Sequence, residues 1–540
     1  MKTVNQIPGP RPSLPIIGTG WQYWPLVRRY NIRQLPKILA ENFRKYGPIY
    51  REEHRKSKPI VYICDPIDIE TVFRFQGKCP VRPPNDFVIN YRSENSHRYG
   101  SVGITNMNGI EWYKTRQLLA PVLMSTDMFN NYIPKLVDIC EDFRDYFDRQ
   151  LVEVVVVVDQ QKTTTDPDVK QCMDFSEITY KFVLESMSTW CLDRRLGCLD
   201  SSTTTTTGDG SSGSCRPDID TDGRLMIEAT RELFASYQKL FYGSLRLWRY
   251  LKTRPYRQLA SSESRIYETL SKYVDTAIAG AVNSNTDSTD SLVSEKNSRC
   301  LMTELIQLNQ LSTSEIKVTL MDLIIGGLFT VSNSLNFICH HLAGNPRVQQ
   351  KLFAEITDVF NISSNTSNSD IITSDLLTKM PYLKACIKES FRLTPPVPGI
   401  LRVLPVDVQL SGYTVPKDTL IFVNTMTTCL SDKYFHKPDS YIPERWLAAD
   451  SNDDDSGGQH QPKCPAFSVL PFGFGSRQCI GKRFAQLNIQ LAIVTLIRHY
   501  ELLAINDDNN TDGKDKLELI CDFLIIPDKN IRFKVKKRKV

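Results

Sequence analysis

Residues 471–481, which read PFGFGSRQCIG, constrain this chain more than any other stretch, because they set one cysteine in a loop of glycines. Cys479 follows Gly473 and Gly475 and precedes Gly481. Glycine carries no Cβ, so such a loop can bend tightly and can approach a flat ligand closely. After the cysteine, apolar residues recur at steps of three and four, which predicts a helix.

A cysteine just before a helix is well placed to act as a thiolate. The free N–H groups and the dipole at the start of a helix favour an anion there. A lone thiolate suits two functions, a nucleophile or an axial ligand to haem iron. A buried structural cysteine in a Gly-rich turn is the third interpretation, and the loop on its own leaves all three open.

The loop resembles the haem-ligand loop of the cytochrome P-450 superfamily. The fixed positions of that loop are occupied by Phe472, Gly475, Arg477, Cys479 and Gly481. The resemblance implies that the Cys479 thiolate binds the iron of heme b (Fe-protoporphyrin IX) and that Arg477, Phe472 and Gly473 also contact the cofactor. It also implies a single large domain that is mainly α with a small β-rich region, an α+β fold.

Trp112 and Arg116 are four residues apart in the sequence WYKTR, so they share one face of a predicted helix. A buried dianionic ligand needs cationic partners for its propionates. Without the cysteine loop, a tryptophan–arginine stack at the surface is the favoured interpretation. With the loop, the resemblance implies that Trp112, Arg116 and Arg402 bind the haem propionates.

A long apolar helix without proline is predicted from Ser314 to Leu342, and it contains GGLFTVSNS. Its adjacent glycines, Gly326 and Gly327, cost about 1 kcal/mol each relative to alanine in a helix. This cost indicates a close approach by something flat or a local kink, and a helix–helix crossing through small residues fits equally well. Thr330 can bond to the carbonyl one turn back and open the helix slightly.

The resembling family places an acid directly before this threonine, and here Phe329 occupies that position. The resemblance implies that Gly327 and Thr330 help to hold dioxygen and route protons. Without the acid, protons must come through water, Thr330 or Ser332. The substitution leaves open a haem-thiolate isomerase or dehydratase, and a catalytically silent haem- or sterol-binding protein.

Glu389 and Arg392 are three residues apart on a predicted helix, where they can form an ion pair. An exposed pair of this kind contributes little to stability, typically below ~1 kcal/mol. The sequences FRLTPP and PERW match the family, and the resemblance implies that Glu389, Arg392 and Arg445 form a buried network that holds the fold around the haem.

Lys384 and Lys388 lie four residues apart on one face of the same helix. The simple interpretation is a solvated basic edge. The mitochondrial branch of the family, however, uses two lysines at these positions to dock an acidic ferredoxin, and Lys482 and Arg483 extend that predicted basic face. Complementary charge steers such short-lived encounters.

Composition excludes some functions and sets the domain organisation. Net charge is +5, and no basic tract with interleaved aromatic residues appears, so nucleic acid is not predicted as a partner. The 14 cysteines show no zinc-site spacing and are predicted to be reduced. We expect a proline-rich lead-in at 1–35, membrane-associated or a remnant targeting segment, and a cytochrome P-450 domain at 36–540. Low-complexity loop insertions are predicted near 200–216, 282–299, 361–374, 449–461 and 506–514.

The localisation prediction depends on resemblance more than on the N-terminus. No apolar run reaches the roughly 20 residues that span a bilayer. Trp21, Tyr23 and Trp24 could dip into a membrane interface or pack against the fold. The segments 80–92 and 179–199 resemble the mitochondrial branch, which implies the inner mitochondrial membrane, on its matrix side, with peripheral membrane association. Only six residues precede Ile7, so we expect no membrane anchor there and a short or missing presequence.

These elements together predict a haem-thiolate monooxygenase that inserts one oxygen atom from O2 into an apolar substrate. The resemblance implies a mitochondrial-type ferredoxin, with its NADPH-dependent reductase, as the electron donor. The segment VPGILRVLP is expected to line the substrate pocket. Its apolar content favours a sterol or an ecdysteroid-like steroid, and oxidation of xenobiotics is the alternative.

Overall fold

The computed structural model describes residues 2–15, 17–23, 27, 29–53, 59–83, 85–158, 162–200, 218–242, 246–283, 300–366, 373–447, 464–505 and 517–538. Helices dominate these residues. In chain order they are α1 Leu35–Tyr46, α2 Pro66–Phe75, α3 Asp86–Glu94, α4 Gly109–Leu123, α5 Thr126–Gln150, α6 Phe175–Leu192, α7 Asp218–Tyr242, α8 Arg254–Asn283, α9 Leu301–Gln307, α10 Thr313–Ala343, α11 Pro346–Thr366, α12 Ser374–Thr378, α13 Pro381–Leu393, α14 Thr425–Cys429 and α15 Lys482–His499.

The strands form small sheets at the edges of the helical body. They are β1 Lys2–Thr3, β2 Ile49–Glu53, β3 Pro59–Ile63, β4 Leu151–Val158, β5 Lys162–Cys172, β6 Ile400–Val403, β7 Val408–Leu410, β8 Tyr413–Val415, β9 Leu420–Val423, β10 Tyr500–Leu503, β11 Leu519–Asp522, β12 Leu524–Pro527 and β13 Phe533–Lys537. Their orders are β2-β3-β9-β6, β1-β8-β7, β10-β13-β5-β4 and β11-β12. The predicted α+β fold, mainly helical, is confirmed.

Local sequence signals account for where the central helices begin. Asp65 precedes α2 and accepts a hydrogen bond from the N–H of Ile67, while Pro66 occupies the first turn, where a missing N–H costs nothing. At α10, Ser312 and Glu315 form a reciprocal capping box. These caps satisfy backbone donors that a helix start would otherwise leave unpaired.

Helix α10 is the centre of the core. By length and composition it could cross a membrane, but 78% of its most apolar stretch is buried inside the protein, as expected of a core helix. It packs against α6, α8, α13 and α15. The functional residues on this helix are therefore held by neighbours on several sides.

The four-stranded sheet brings distant segments of the chain together. Strand β3 pairs parallel with β9, and β9 pairs antiparallel with β6, which carries Arg402. An isolated bridge joins Val81 to Val403. The segment that contains Arg82 therefore lies beside the strand that contains Arg402.

Most predicted elements agree with the structure. The strand predicted at 154–158 belongs to β4, and the helix predicted from 175 to 199 ends earlier, at Leu192. Trp24 and most residues of the five predicted low-complexity loops lie outside the described residues, so those predictions remain as they were. The described Trp21 donates to the carbonyl of Pro12 at 2.8 Å, which ties this aromatic ring to the lead-in.

Candidate functional site

The cysteine loop is a tight turn held by its own backbone. The N–H of Cys479 donates to the carbonyl of Phe472 at 2.8 Å. Gly473 and Gly475 have φ of +70° and +77°, in the left-handed region that favours glycine. A Cβ on Gly475 would lie 2.4 Å from Nε2 of Gln76, so this glycine also permits a close approach between segments. Helix α15 begins at Lys482, three residues after the cysteine, as predicted.

Cys479 is the only exposed cysteine among those that the structure describes. Desolvation by the surrounding protein nevertheless raises the pKa of its thiol. The N–H of Gly481 and the charges of Arg116 and Lys482 act in the opposite direction, but they do not outweigh desolvation. The helix terminus alone therefore does not make a thiolate, contrary to the simplest sequence interpretation. A metal ion that coordinates a thiol deprotonates it outright.

Four arginines cluster beside this loop, and together they lack a negative partner. They are Arg82, Arg116, Arg402 and Arg477. Burial is the main reason that the pKa of each is lowered. The pKa of Arg477 falls to about 9 because Arg82, Arg402 and Arg116 also repel its charge. Arg82 likewise contributes to the fall for Arg402, to about 10. In the described ranges no carboxylate forms an ion pair with any of them.

Carbonyl and amide groups hold these guanidinium groups in place. Arg477 donates to the carbonyls of Pro80 and Met107 at 2.9 and 2.6 Å, and it lies 4.0 Å from the centre of the Trp112 ring. Arg116 donates to the carbonyl of Gln478 at 2.9 Å. Arg402 donates to Oε1 of Gln76 at 3.0 Å. The predicted residues Trp112, Arg116, Arg402 and Arg477 thus belong to one region.

Sequence reasoning missed Arg82. The backbone N–H of Arg82 donates to Oδ1 of Asn108 at 3.0 Å, and the same oxygen accepts a hydrogen bond from the guanidinium of Arg477 at 2.7 Å. Its side chain bonds to the carbonyl of Thr105. The surrounding sequence PVRPPNDF resembles the mitochondrial branch but predicts no function by itself, because its contacts are made to residues far along the chain.

These residues fit a planar dianionic cofactor. Keeping several buried cations without counter-ions is costly. A dianion among them would remove the mutual repulsion, and its planar face would lie against glycines that allow close approach. The exposed sulfur of Cys479 supplies the soft ligand that iron in a haem can use.

The middle of α10 has an exposed face. Gly326 is exposed although most of the helix around it is buried, and a Cβ there would meet no atom within 4 Å. Thr330, one turn further on, donates to the carbonyl of Gly326 at 2.7 Å, as predicted from its position. These two residues therefore share the exposed face of α10.

Gly327 and Ser332 face other parts of the protein. A Cβ on Gly327 would lie 2.5 Å from Sδ of Met187 on α6, so this glycine permits a helix crossing. Ser332 is fully buried and donates to the carbonyls of Leu328 and Thr179 at 2.7 and 3.2 Å. The hydroxyl of Ser332 is therefore engaged between α10 and α6, and its proton-donating role remains a prediction.

Phe329, in the position of the missing acid, is buried in an aromatic cluster. Its ring meets that of Tyr180 edge-on at 4.6 Å and that of Phe234 at 5.9 Å. Phe234 in turn stacks on Phe523 at 5.9 Å. Position 329 thus joins α10 to α6 and α7 through apolar contact and holds no ionisable group.

Glu389 and Arg392 are fully buried, and the side chain of Arg445, the third member of the network, is 4% exposed. Arg392 makes two hydrogen bonds to Glu389 at 2.8 and 3.0 Å, and Arg445 makes one at 3.1 Å. Trp446 also donates to Glu389 at 2.8 Å. One carboxylate therefore serves two buried cations, and the pair is not the surface pair that spacing alone allows.

The four cations predicted to dock a partner are fixed by local contacts. Lys384 donates to the carbonyl of Thr378 at 2.9 Å, and Lys388 lies 3.9 Å from the centre of the Trp446 ring. Burial lowers the pKa of Lys388. Lys482 lies over Phe472, and Arg483 bonds to the carbonyl of Met124. Within the described chain, none of the four forms an ion pair with an acid.

Comparison with known proteins agrees with this geometry. The model of the family described as Cytochrome P450 matches residues 8–535. The chain is similar to "Ecdysone 20-monooxygenase" of Drosophila melanogaster, with 28% identity over 96% of this chain and 86% of the relative. It is also similar to "Probable cytochrome P450 12b2, mitochondrial" of the same species, with 29% identity over 99% and 89% of the two chains. A third relative, "Cytochrome P450 302a1, mitochondrial", is 26% identical over 98% and 96%.

Proposed function

The chain belongs to the cytochrome P450 family, and from that premise we propose that it hydroxylates a sterol or ecdysteroid-like substrate with electrons from a ferredoxin. As a member of that family it is a haem-thiolate monooxygenase whose cofactor is a haem with an axial cysteine thiolate. When bound, that cofactor supplies the oxygen and one-electron chemistry, and the protein supplies position and charge. The observation that carries the proposal is the exposed Cys479 beside one buried and three half-buried arginines that form no ion pair with an acid among the described residues.

We assign Cys479 as the iron ligand and the arginine cluster as the partner of the propionates. Arg82, which sequence reasoning missed, joins Arg116, Arg402 and Arg477 in this role. The ring of Trp112 packs against the cluster by contacting the guanidinium of Arg477. Phe472 and Gly473 shape the loop. Thr330 lies on the exposed face of α10, where substrate and O2 are expected to bind.

The variant Arg116→Met is expected to lose haem roughly 10- to 100-fold faster, since a hydrogen bond to a charged group contributes about 1.5–3 kcal/mol. The haem-free variant is expected to unfold no more easily than the haem-free wild type, because the substitution removes a half-buried charge that has no acidic partner in an ion pair. Transfer of haem to an acceptor globin measures the first quantity and thermal unfolding the second. Arg144→Met, in an exposed pair with Asp145, is the control. Unchanged haem loss would contradict the assignment.

The basic residues support a ferredoxin as the electron donor. Lys384, Lys388 and Arg483 are exposed, and Lys482 is partly so. Phe391 of α13 packs on Phe472 of the cysteine loop at 5.6 Å, so the lysine helix lies directly against the loop that carries Cys479. Positive charge at this place would attract an acidic protein and bring its redox group near the sulfur side of the site.

Lys384→Glu/Lys388→Glu is expected to raise the ferredoxin concentration for half-maximal turnover at least about 10-fold at low salt, because charge steering is lost. The difference should shrink as ionic strength rises. Steady-state oxidation of NADPH by the reductase–ferredoxin–enzyme system measures it. The control is Lys37→Glu/Lys272→Glu, which changes the net charge by the same amount as the docking variant but at exposed positions elsewhere on the protein. Equal behaviour of the two double variants would exclude specific docking by this face.

Apolar surroundings support a steroid-sized apolar substrate. Val397, Ile400 and Leu401, in the segment predicted to line the pocket, are only partly buried. Aromatic rings of α7 meet the β11–β12 turn, where Phe523 lies 5.3 Å from Tyr237. One relative is named for oxidation of ecdysone, which favours a steroid over a xenobiotic.

Mitochondrial location and peripheral membrane association form part of the proposal. Several relatives carry the word mitochondrial in their names. Between α7 and α8, Leu247, Tyr250 and Leu251 are 50%, 86% and 65% exposed. Basic residues flank these apolar side chains, a composition that suits an anionic membrane surface.

The proposed reaction is tested by adding a sterol and ecdysteroid panel to the purified holoprotein with a mitochondrial ferredoxin, its reductase and NADPH. We expect a ligand-induced change in the haem spectrum, oxygen consumption that depends on ferredoxin, and a hydroxylated product. Turnover of a peroxide substrate without reductant would replace this proposal with the isomerase. A ligand that changes the haem spectrum but is never converted to product would indicate a catalytically silent haem- or sterol-binding protein.

A further inference from the structure

Tyr180 occupies the space next to the missing acid. Its ring contacts Phe329, and its hydroxyl donates to Oδ1 of Asn333 at 3.3 Å. Asn333 lies three residues after Thr330 on α10, so the two side chains are neighbours on the helix surface. A polar contact between α6 and α10 therefore exists one turn from the threonine.

The amide of Asn333 has one hydrogen-bonding group in use and one without a partner. Asn333 is fully buried, and its Nδ2 has no partner among the described residues. A buried donor without an acceptor costs about 1–3 kcal/mol. A water molecule is the usual acceptor for such a group in a protein interior.

Tyr180 also lies next to charges that reach solvent. The guanidinium of Arg231 is 5.7 Å from the centre of the Tyr180 ring. Arg231 pairs with Glu177 at 3.1 Å, and both side chains are about half exposed, at 54% and 45%. A series of neighbouring side chains therefore leads from solvent to the exposed face of α10: Arg231, Tyr180, Asn333 and Thr330.

Neither Tyr180 nor Asn333 can release a proton at neutral pH. Burial raises the pKa of Tyr180 to about 12, and an amide does not titrate in this range. The two side chains can therefore orient another group but cannot replace the acid chemically.

We infer that Tyr180 and Asn333 hold a proton-carrying water beside Thr330, in the place that an acid at position 329 would otherwise serve. Tyr180 fixes the amide through Oδ1, so that Nδ2 donates to the oxygen of the water. The protons of that water remain free to pass towards Thr330, and bulk solvent replaces them. Neither Tyr180 nor Asn333 gains or loses a proton. They are positioning residues, and the inference rests on the proposed monooxygenase function.

Tyr180→Phe is expected to lower several-fold the share of NADPH electrons recovered in product, with the difference appearing as hydrogen peroxide. Haem content, measured from the reduced carbon monoxide complex, should not change. Adding Phe329→Asp to this variant is expected to restore coupling, because it returns an acid next to Asn333. Tyr132→Phe is the control. It also removes one buried tyrosine hydroxyl, which bonds to the carbonyl of Ser186 on α6, the helix that carries Tyr180. Unchanged coupling in Tyr180→Phe would overturn the inference.

A high-resolution crystal structure of the holoprotein tests the same inference without turnover. We expect an ordered water about 3 Å from Nδ2 of Asn333 in the wild type, and its loss or displacement in Tyr180→Phe. Absence of that water in the wild type would overturn the inference even if the enzyme is active. A wild type that shows the water but no ferredoxin-dependent oxygen consumption would instead contradict the proposed function.

Discussion

Replacing Cys479 by alanine is expected to abolish both the red-shifted band of the reduced, carbon monoxide-bound protein and all ferredoxin-dependent turnover. Thiolate ligation pushes electron density onto haem iron and favours O–O cleavage, and alanine offers no ligand at all. Cys479 is the only exposed cysteine among the described residues, which makes it the thiol assigned to the iron. The reduced carbon monoxide difference spectrum measures the effect directly.

Histidine at the same position separates haem binding from thiolate ligation. Cys479→His is expected to retain some haem, because the arginine cluster is intact, but to lack the red-shifted band. Cys464→Ser is the matched control, since this partly buried cysteine precedes the same loop and is free. It should leave the band and turnover unchanged. Persistence of the band in Cys479→Ala would assign the ligand to another residue and remove the basis of the proposed function.

The sequence predicted those features whose cause is local. The cysteine loop depends on glycines and backbone bonds within ten residues, so its pattern could be recognised without the fold. Helix α10 likewise follows from its apolar pattern and capping box. The burial of Phe329 in aromatic rings could not be foreseen, because Tyr180 and Phe234 come from two other helices.

The arginine cluster shows why the rest required the structure. Arg82 meets the site because a bridge joins Val81 to Val403, more than three hundred residues away along the chain. A single sequence does not reveal such a pairing. The different surroundings of Ser332, by contrast, follow from helix geometry alone. A residue two positions after Thr330 lies about 200° further around the helix, on nearly the opposite side.

Depth of burial is the other quantity that spacing cannot supply. A pair three residues apart on a helix contributes at most ~1 kcal/mol at the surface. Glu389 and Arg392 have the same spacing as such a pair but are both 0% exposed. Burial makes the pair sensitive to the loss of either partner, because the charge left behind cannot reach water.

Glu389→Gln is expected to destabilise the fold by about 3–5 kcal/mol, because it leaves two buried cations without their carboxylate. Arg392 would keep its bonds to the carbonyls of Cys429, Pro438 and Ser440, but none of these carries a full negative charge. Such a loss is a large part of the 5–15 kcal/mol that typically stabilises a native protein. Thermal unfolding of the holoprotein and the yield of folded material measure it.

The comparison with an exposed pair isolates the contribution of burial. Glu70→Gln breaks a helical pair with Arg74 whose side chains are 33% and 68% exposed, and it is expected to cost less than ~1 kcal/mol. Glu389→Asp keeps the charge but shortens the reach to Arg392 and Arg445, so its loss should fall between the two. If Glu389→Gln and Glu70→Gln unfold at the same temperature, the buried network does not hold the fold, and the role assigned to Arg445 fails with it. If the losses rank as expected, the stability of this region depends on one carboxylate, whereas the chemistry depends on the cysteine loop beside it.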